Sequence, residues 1–378
     1  MRISNINLRH EDGCAVLSGM CNDFELFYKF PNHIEPQTRA DAFVAACLIP
    51  AMASGTDIEL DDDAPISRQL LINLDKLQDI FCQWTQYFKT DLHKISIKGG
   101  VADELKEGLD KTISFFSGGI DGHYTLIKNS DSIDLLFFSK GIDIQLDNDH
   151  LFQEALSKNR KFVQQKKKPL LSVESNVRFL GHTIGGLGWG LCFGGGLSSI
   201  ALAANVRKCF IASGVTYQTL YPEGSNFITD HLWSNEFTQV VHDGAEASRI
   251  EKLRVISQDP EVLKLLRVCW QDKKYNCGKC EKCIRTMIAL RALQLSADTL
   301  PDFTDAMVKR ALRKIRLYTP IDYAFLMENL EQARRVEDKT LIKELLKIKR
   351  RFEIRKLLFQ FDQTILAGRI ARWKRKHH

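Results

Sequence analysis

Ser117-Gly118-Gly119-Ile120-Asp121-Gly122 is the stretch of sequence that decides the fold. It follows a short apolar run at 113–116 and precedes residues 122–129, whose spacing favours a helix. The order predicts a strand, a glycine turn and a helix. Because glycine has no Cβ, such a turn bends sharply and lets backbone amides approach an anion, which the positive end of the helix also attracts. The stretch therefore predicts a phosphate-binding turn.

From residue 111 onward, short apolar runs alternate with segments of helical spacing. The predicted strands are 113–116, 133–138, 170–173, 208–212, 239–242 and 265–270. The predicted helices are 122–129, 151–164, 197–204 and 245–257. Nearly continuous apolar strands that alternate with helices are typical of a parallel sheet covered on both faces. The predicted fold class is α/β with a doubly wound parallel sheet, whose ligands bind at the carboxyl ends of the strands.

The flanking segments depart from this pattern. Residues 1–110 combine predicted strands at 15–17 and 24–30 with helical spacing at 39–50 and 66–87, which indicates an N-terminal α+β domain of unknown role. After 300 the spacing is helical, with Pro301 and Pro320 as predicted helix starts. The predicted domains are therefore 1–110, 111–300 and a basic helical extension, 301–378.

The composition, 44% apolar and 26% charged residues in 378, is that of a folded globular protein. The first residues lack a charged region followed by an apolar core, and no run approaches the roughly 18 apolar residues of a membrane span. We therefore predict a cytoplasmic protein without a transmembrane segment, in which the ten cysteines are thiols or metal ligands rather than disulfides. A homo-oligomer is left open.

Four of the cysteines form a cluster in the sequence: Cys269, Cys277, Cys280 and Cys283. Two successive gaps of two residues let thiolates converge on one ion, and Gly278 relaxes the tight turn between them. Four sulfur ligands favour a tetrahedral Zn(II) site that staples the loop to the helix after it. An iron-sulfur cluster uses the same ligands and is the alternative.

The Ser-Gly-Gly-x-Asp stretch resembles the pyrophosphate-binding loop (PP-loop) of the ATP pyrophosphatase superfamily, a group with Rossmann-like sheets. The cysteine spacing, about 150 residues further on, resembles that of 7-cyano-7-deazaguanine synthase and its relatives. The resemblance covers 111 to about 295. The family loop ends in Ser where this chain has Gly122, so one hydroxyl that would contact phosphate is missing.

The resemblance implies that the turn binds ATP with Mg(II), that the four thiolates bind Zn(II), and that the chain is a ligase-like enzyme. An unidentified small-molecule carboxylate or carbonyl would be adenylated and then attacked by ammonia or an amine, with AMP and pyrophosphate as products. The implied ATP contacts are Ser117, Gly118, Gly119, Ile120, Asp121 and Gly122, with Ser117 and Asp121 also acting in catalysis. Two alternatives remain: a PP-loop sulfur transferase acting on RNA, and a degenerate nucleotide-binding scaffold.

Other polar residues follow the predicted strands. Ser139 and Asp143 are candidate adenosine contacts, and Arg178, near Asn176, is a candidate partner for a phosphate or carboxylate. His242 is a candidate general acid or base. Further candidate substrate contacts on and beside the long segment 217–236 are Asp230, His231, Glu236, Asp243, Glu246 and Arg249. The glycine-rich run 185–196 is interpreted as a substrate loop, with close packing before a helix as the alternative.

Residues 341–378 hold twelve Lys or Arg and three acidic residues, a local balance of +9 within a net charge of +6. Trp373 lies beside Lys374, Arg375 and Lys376. Such a segment predicts contact with nucleic acid, an acidic protein or an anionic membrane surface. An amphipathic helix packed on the body of the protein is the alternative.

Overall fold

The computed structural model describes residues 1–61, 63–88, 90–102, 108–219, 221–271, 274–313 and 315–365. The strands in these ranges are β1 (Arg2–Glu11), β2 (Cys14–Cys21), β3 (Phe24–Pro31), β4 (Ile58–Leu60), β5 (Ile66–Ser67), β6 (Ile97–Lys98), β7 (Val101–Ala102), β8 (Leu109–Phe115), β9 (Leu135–Lys140), β10 (Leu170–Ser175), β11 (Val206–Ala212) and β12 (Gln239–Asp243). The α-helices are α1 (Asp41–Ser54), α2 (Arg68–Trp84), α3 (Ile120–Lys128), α4 (Asp149–Gln165), α5 (Val177–Gly185), α6 (Trp189–Ala203), α7 (Arg249–Ile256), α8 (Pro260–Leu265), α9 (Glu281–Ala292), α10 (Asp305–Leu312), α11 (Pro320–Arg335) and α12 (Lys339–Ile365).

Ten of the strands form one sheet in the order β12-β11-β8-β9-β10-β3-β2-β1-β4-β6. The five strands from β12 to β10 are parallel to one another. The chain runs outward from β8 through β9 to β10, then returns to the other side of β8 for β11 and β12. The strand order reverses between β8 and β11, and open α/β sheets bind ligands at such a point.

Helices cover both faces of the parallel strands. The consecutive residues Leu135, Leu136, Phe137 and Phe138 of β9 are all buried, and they alternate between two apolar cores. One core includes residues of α1, α5 and α6, and the other includes residues of α3, α4 and α7. An uninterrupted apolar strand is needed because both of its faces are buried. The predicted α/β class with a large, mostly parallel sheet is confirmed.

The first hundred residues extend the same sheet. β3 pairs antiparallel with β10, and β2 and β1 follow as a meander. The side chain of Asn176 fastens this junction, since Nδ2 donates to the carbonyl of Glu25 at 2.8 Å and Oδ1 accepts from the amide of Phe27 at 3.0 Å. The predicted division at residue 110 therefore separates two parts of one continuous sheet.

Two local predictions were wrong. Residues 266–270 are irregular and pair with no strand among the described residues, because their backbone bonds to Gly118 and to the side chain of Asn276 instead. Pro301 does not start a helix, and α10 begins after Thr304, whose hydroxyl accepts from the amide of Met307. Pro320 does lie in the first turn of α11, where Thr319 and Asp322 form a capping box.

The helices α10, α11 and α12 pack together beside α9 and α7, on the face that also carries α3. Their buried side chains join the core of that face. These are Val308, Leu312, Leu326, Leu330, Leu341, Leu345 and Ile348. The end of the chain thus contributes directly to the side of the sheet on which the cysteine cluster lies.

Candidate functional site

The glycine turn lies at the carboxyl end of β8, directly before α3, as the sequence predicted. Gly118 has φ of +79°, a conformation that residues with a Cβ rarely adopt. A Cβ there would also lie 2.6 Å from Oδ1 of Asn159. Gly119 is the N-cap of α3, and no side chain caps this helix. The amides of its first turn are therefore available to a negatively charged ligand.

Asp121, in the first turn of α3, is paired with two cations. Its carboxylate lies 3.3 Å from Nη1 of Arg249 and 3.2 Å from Nζ of Lys252, both on α7. Lys252 is buried and also donates to the carbonyl of Ser213 at 2.6 Å. Burial raises the pKa of Asp121, but the charges of Lys252 and Arg249 outweigh it and leave this pKa below its ordinary value. With both cations in contact, Asp121 is suited to orienting the turn.

His123 and Asn159 lie directly beneath the turn. Nδ1 of His123 donates to the carbonyl of Gly119 at 2.8 Å, which leaves Nε2 as an acceptor with no partner among the described residues. Burial lowers the pKa of His123 to about 4, so the ring is neutral at physiological pH. Asn159, on α4, is fully buried, and both polar atoms of its amide lack a described partner. Unpaired buried polar groups next to a turn are unusual and point to a missing ligand.

Ser139 and Arg178 lie on neighbouring elements at the same edge of the sheet. β9 pairs with β8 in a register that places Ser139 level with Ser117, and its hydroxyl is buried without a described partner. Arg178 has an internal role, since its guanidinium donates to the carbonyl of Ile142 and lies 6.0 Å from the ring of Trp189. The structure thus leaves Ser139 free for a ligand, whereas Arg178 is engaged within the protein.

His242 lies two strand spacings from β8, roughly 10 Å across the sheet. Its Nδ1 is 2.7 Å from Oδ2 of Asp230, which also accepts a hydrogen bond from Ser225. Nε2 of His242 is buried and has no partner among the described residues. Burial raises the pKa of nearby Glu223 to about 7. This arrangement can move a proton, because one imidazole nitrogen is fixed and the other is free.

Most of the glycine-rich run, from 189 to 196, lies in helix α6 rather than in a loop, so the alternative of close packing at a helix describes it better. Gly194, Gly195 and Gly196 lie within α6. A Cβ on Gly194 would lie 1.9 Å from the carbonyl oxygen of Gly224, and one on Gly195 would lie 2.5 Å from that of Ala45. The run therefore permits close backbone packing, and it fixes the segment that carries Glu223 and Ser225.

Three further acidic candidates, Glu236, Asp243 and Glu246, are engaged in contacts within the protein. Glu236 accepts from Ser67 and from the amide of Gln69, and so caps α2 on the far side of the sheet. Asp243 and Glu246 both accept from Nζ of Lys128, at 2.9 and 2.6 Å. These contacts hold α3 against the end of β12.

The four clustered cysteines do converge. Their sulfur atoms all lie within 4.8 Å of one another, with Cys269 and Cys280 at 3.8 Å and Cys277 and Cys283 at 4.0 Å. Zn–S bonds of about 2.3 Å in a tetrahedron place sulfurs roughly 3.8 Å apart. The cluster can therefore hold a metal ion such as zinc.

Backbone amides stabilise the thiolate form of one of these cysteines, Cys277. The amides of Lys279 and Cys280 point at the sulfur of Cys277, at 3.4 and 3.2 Å. These hydrogen bonds outweigh the effect of burial and lower the pKa of the Cys277 thiol to about 7. Gly278 has φ of +67°, which permits the tight turn that the sequence predicted. All four positions are taken by protein sulfurs, so a bound zinc would be structural.

The cysteine segment also contacts the glycine turn. The amide of Arg267, two residues before Cys269, donates to the carbonyl of Gly118 at 2.9 Å. Asn276, one residue before Cys277, accepts from the amides of Val268 and Cys269 at 2.9 and 3.1 Å. The cluster and the turn are thus joined by one short piece of backbone.

Comparison with family models, with curated proteins and with solved structures finds no match for this chain. None of the helices in the described ranges is both long enough and apolar enough to cross a bilayer.

Residues 341–365 of the basic segment lie in helix α12. Its outer end exposes Ile354, Leu357, Leu358 and Phe361, with exposed fractions from 45% to 65%. Arg351, between them and the body, donates to the carbonyls of Leu312 and Arg313 and ties the helix down. The predicted contacts at Trp373 to Lys376 lie outside the described residues.

Proposed function

We propose that this chain binds ATP with Mg(II) at Ser117–Gly122 and transfers AMP to a carboxylate or carbonyl oxygen of a small molecule. The substrate oxygen attacks the α phosphorus, the bond to the bridging oxygen breaks, and pyrophosphate leaves. Ammonia or an amine then attacks the activated carbon and displaces AMP. The observation that carries the proposal is the uncapped glycine turn at the point where the strand order reverses.

The surroundings of the turn suit a polyphosphate. Helix α3 directs the amides of its first turn outward, and Arg249 and Lys252 add two cations within 3.3 Å of Asp121. Fixed donors of this kind stabilise the charge that develops on a departing pyrophosphate. Magnesium, when bound, would neutralise part of the phosphate charge.

His242 is assigned to the second half of the reaction. Ammonia or an amine that attacks the activated carbon becomes positively charged as the C–N bond forms and must then lose a proton, which the free Nε2 of His242 can accept. Asp230 holds the other nitrogen and stabilises the positive ring that results. Glu223, on the adjoining loop, can then pass the proton toward solvent, since its pKa of about 7 suits exchange near neutral pH.

The test uses purified protein, ATP, MgCl2 and a panel of small carboxylic acids, with hydroxylamine as the trapping amine. Release of AMP and pyrophosphate, together with a hydroxamate, supports the proposal. Formation of ADP and phosphate instead would contradict it, as would failure of the protein to bind ATP.

The variant Gly118→Ala should abolish ATP binding, and Gly13→Ala is its matched control. Gly13 also has a positive φ, +74°, but lies in the β1–β2 hairpin with no atom within 4 Å of a Cβ built on it. The backbone strain is therefore similar, whereas only the Cβ of Gly118→Ala enters the turn, 2.6 Å from Oδ1 of Asn159. Equal loss of ATP binding in both variants would show that strain, rather than the turn, is responsible.

A further inference from the structure

Arg267 is a buried cation that forms no ion pair within the described part of the chain. Arg267 is 2% exposed, and neither Nε nor Nη2 of its guanidinium has a hydrogen-bond partner among the described residues. A buried guanidinium without an ion pair is costly, and an anionic ligand that paired with it would offset this cost.

The position of Arg267 connects it to the glycine turn. Its amide donates to the carbonyl of Gly118, and its own carbonyl oxygen is 3.5 Å from a Cβ built on Gly119. Asn159 reaches the same turn from α4, with Oδ1 2.6 Å from a Cβ built on Gly118. Rotation of this amide can present its NH2 group as a donor, and neither of its polar atoms is otherwise engaged.

The nearby acids do not neutralise Arg267. Asp121 is already paired with Arg249 and Lys252. Glu154, on α4, is paired with Lys158 at 2.7 Å, and the ammonium of Lys158 lies 3.9 Å from the centre of the Tyr275 ring. The surroundings of the turn therefore have an excess of positive charge and of unpaired donors.

We propose that Arg267 and Asn159 form, with the turn, the seat of the pyrophosphate portion of the ligand, and that the cysteine cluster holds this seat in place. The first part names the phosphate contacts of the site and rests on the proposed function. The second follows from the backbone, because Asn276 clamps 266–269 from inside the cysteine loop: it accepts from two amides and donates to the carbonyl of Leu266 at 2.8 Å. Loss of the metal loosens this clamp and displaces the guanidinium.

The probe is inorganic pyrophosphate, titrated calorimetrically into the metal-loaded full chain. The variant Arg267→Gln should weaken binding by tenfold or more, because charge-assisted hydrogen bonds to phosphate are lost. Arg267→Lys should be intermediate, since it keeps the charge and loses the planar fork. Asn159→Asp, nearly identical in shape, should also weaken binding. The control is Arg9→Gln, on β1 at the far side of the sheet, where Arg9 is 51% exposed.

Removal of the metal with a chelator should weaken pyrophosphate binding by a similar factor, and added zinc should restore it. If Arg267→Gln does not fold, as circular dichroism would show, Arg267→Lys and Asn159→Asp decide the question. Folded variants that bind pyrophosphate as tightly as the wild type overturn the assignment, even if ATP is still converted to AMP. If Arg267→Gln and Asn159→Asp lose pyrophosphate binding while the wild type binds it but forms no AMP, the seat is supported and the adenylating enzyme is not. A wild-type protein that binds no pyrophosphate overturns the seat, and unchanged affinity after chelation overturns the role given to the metal.

Discussion

Nδ1 of His242 donates a hydrogen bond of 2.7 Å to Oδ2 of Asp230, and neither side chain is more than 5% exposed. In the neutral ring this bond fixes the tautomer, with the proton on Nδ1 and the lone pair on Nε2. Asp230 is in turn held by Ser225 and by the amide of Asn226. The imidazole is therefore oriented before any substrate arrives.

Replacement of Asp230 by Asn should remove this preference for one tautomer. We expect the rate of hydroxamate formation to fall by about 100-fold or more, while ATP affinity is unchanged, because the proposed reaction uses the histidine only after adenylation. Nitrogen NMR of histidine-labelled protein should show the Nε2 lone-pair tautomer at position 242 in the wild type and a mixture in the variant. An unaltered tautomer in Asp230→Asn would refute the role given to the carboxylate.

Gly122→Ser should stabilise the protein and strengthen ATP binding. A Cβ at Gly122 would make ordinary contacts, 3.6 Å or more from its neighbours, and serine is a better helix former than glycine by about 0.5 kcal/mol. The matched control is Gly190→Ser, in the first turn of α6 with open space around it. Urea unfolding should give both variants a similar gain, and calorimetry should give tighter ATP binding only to Gly122→Ser. A gain in turnover favours a weakened enzyme over a scaffold.

Because of His123, the free energy of unfolding should decrease as the pH falls below 6.5. Its folded pKa is about 4, below the ordinary value of 6.5, so the unfolded chain binds more protons between these limits. The stabilisation is fully present above pH 6.5 and is lost as the pH falls toward 4, by about 3 kcal/mol. The stability difference between wild type and His123→Phe, from urea unfolding at each pH, should shift by that amount. A difference that stays constant from pH 4 to pH 8 would show that folding does not lower the pKa of His123.

Glu328 should have the opposite effect. Burial raises its pKa to about 7 where α11 meets the start of α7, next to Arg249. The folded state therefore holds a proton that the unfolded chain releases near pH 4.5, and the stabilisation present below that pH is lost as the pH rises to 7 and beyond. Glu328→Gln should gain about 2 to 3 kcal/mol relative to wild type between pH 5 and pH 8. Glu331→Gln, exposed and paired with Arg335 on the same helix, should show no such trend.

The cysteine cluster should contain one zinc ion per chain and neither iron nor labile sulfide, as elemental analysis can show. Four thiols should resist a thiol reagent until the metal is removed. Chelation should lower the unfolding temperature, because the ion links α9 to the segment beside the glycine turn. Iron and sulfide would instead favour the sulfur-transfer alternative.

Local patterns predicted much of the sheet. β9 and β11 are predictable because each contains a continuous apolar run, 135–138 in β9 and 209–212 in β11. The predicted strand at 265–270 failed for an instructive reason: Leu266, Val268 and Cys269 are buried as a strand would be, yet the backbone has no neighbouring strand. Burial sets the apolar pattern, whereas pairing depends on what lies alongside.

The site was only partly predictable. The glycine turn and the cysteine spacing are short-range signals, and both could be read directly. The partners of Asp121 could not, because Lys252 is 131 positions away and looks like any lysine on a helix. Asn159, Arg267 and Glu223 were missed for the same reason, since only the folded chain shows which polar groups are buried without a partner.

The junction between β3 and β10 has a consequence for synthesis of the chain. Phe27 on β3 and Asn176 after β10 are 149 positions apart, so at 5 to 20 residues per second a ribosome needs roughly 7 to 30 s to deliver the second after the first. During that interval the nascent meander has an unpaired edge beside Leu26, Tyr28 and Phe30, which become buried only later. Polypeptides released before residue 170 should therefore aggregate, whereas those that extend past 176 can close the sheet.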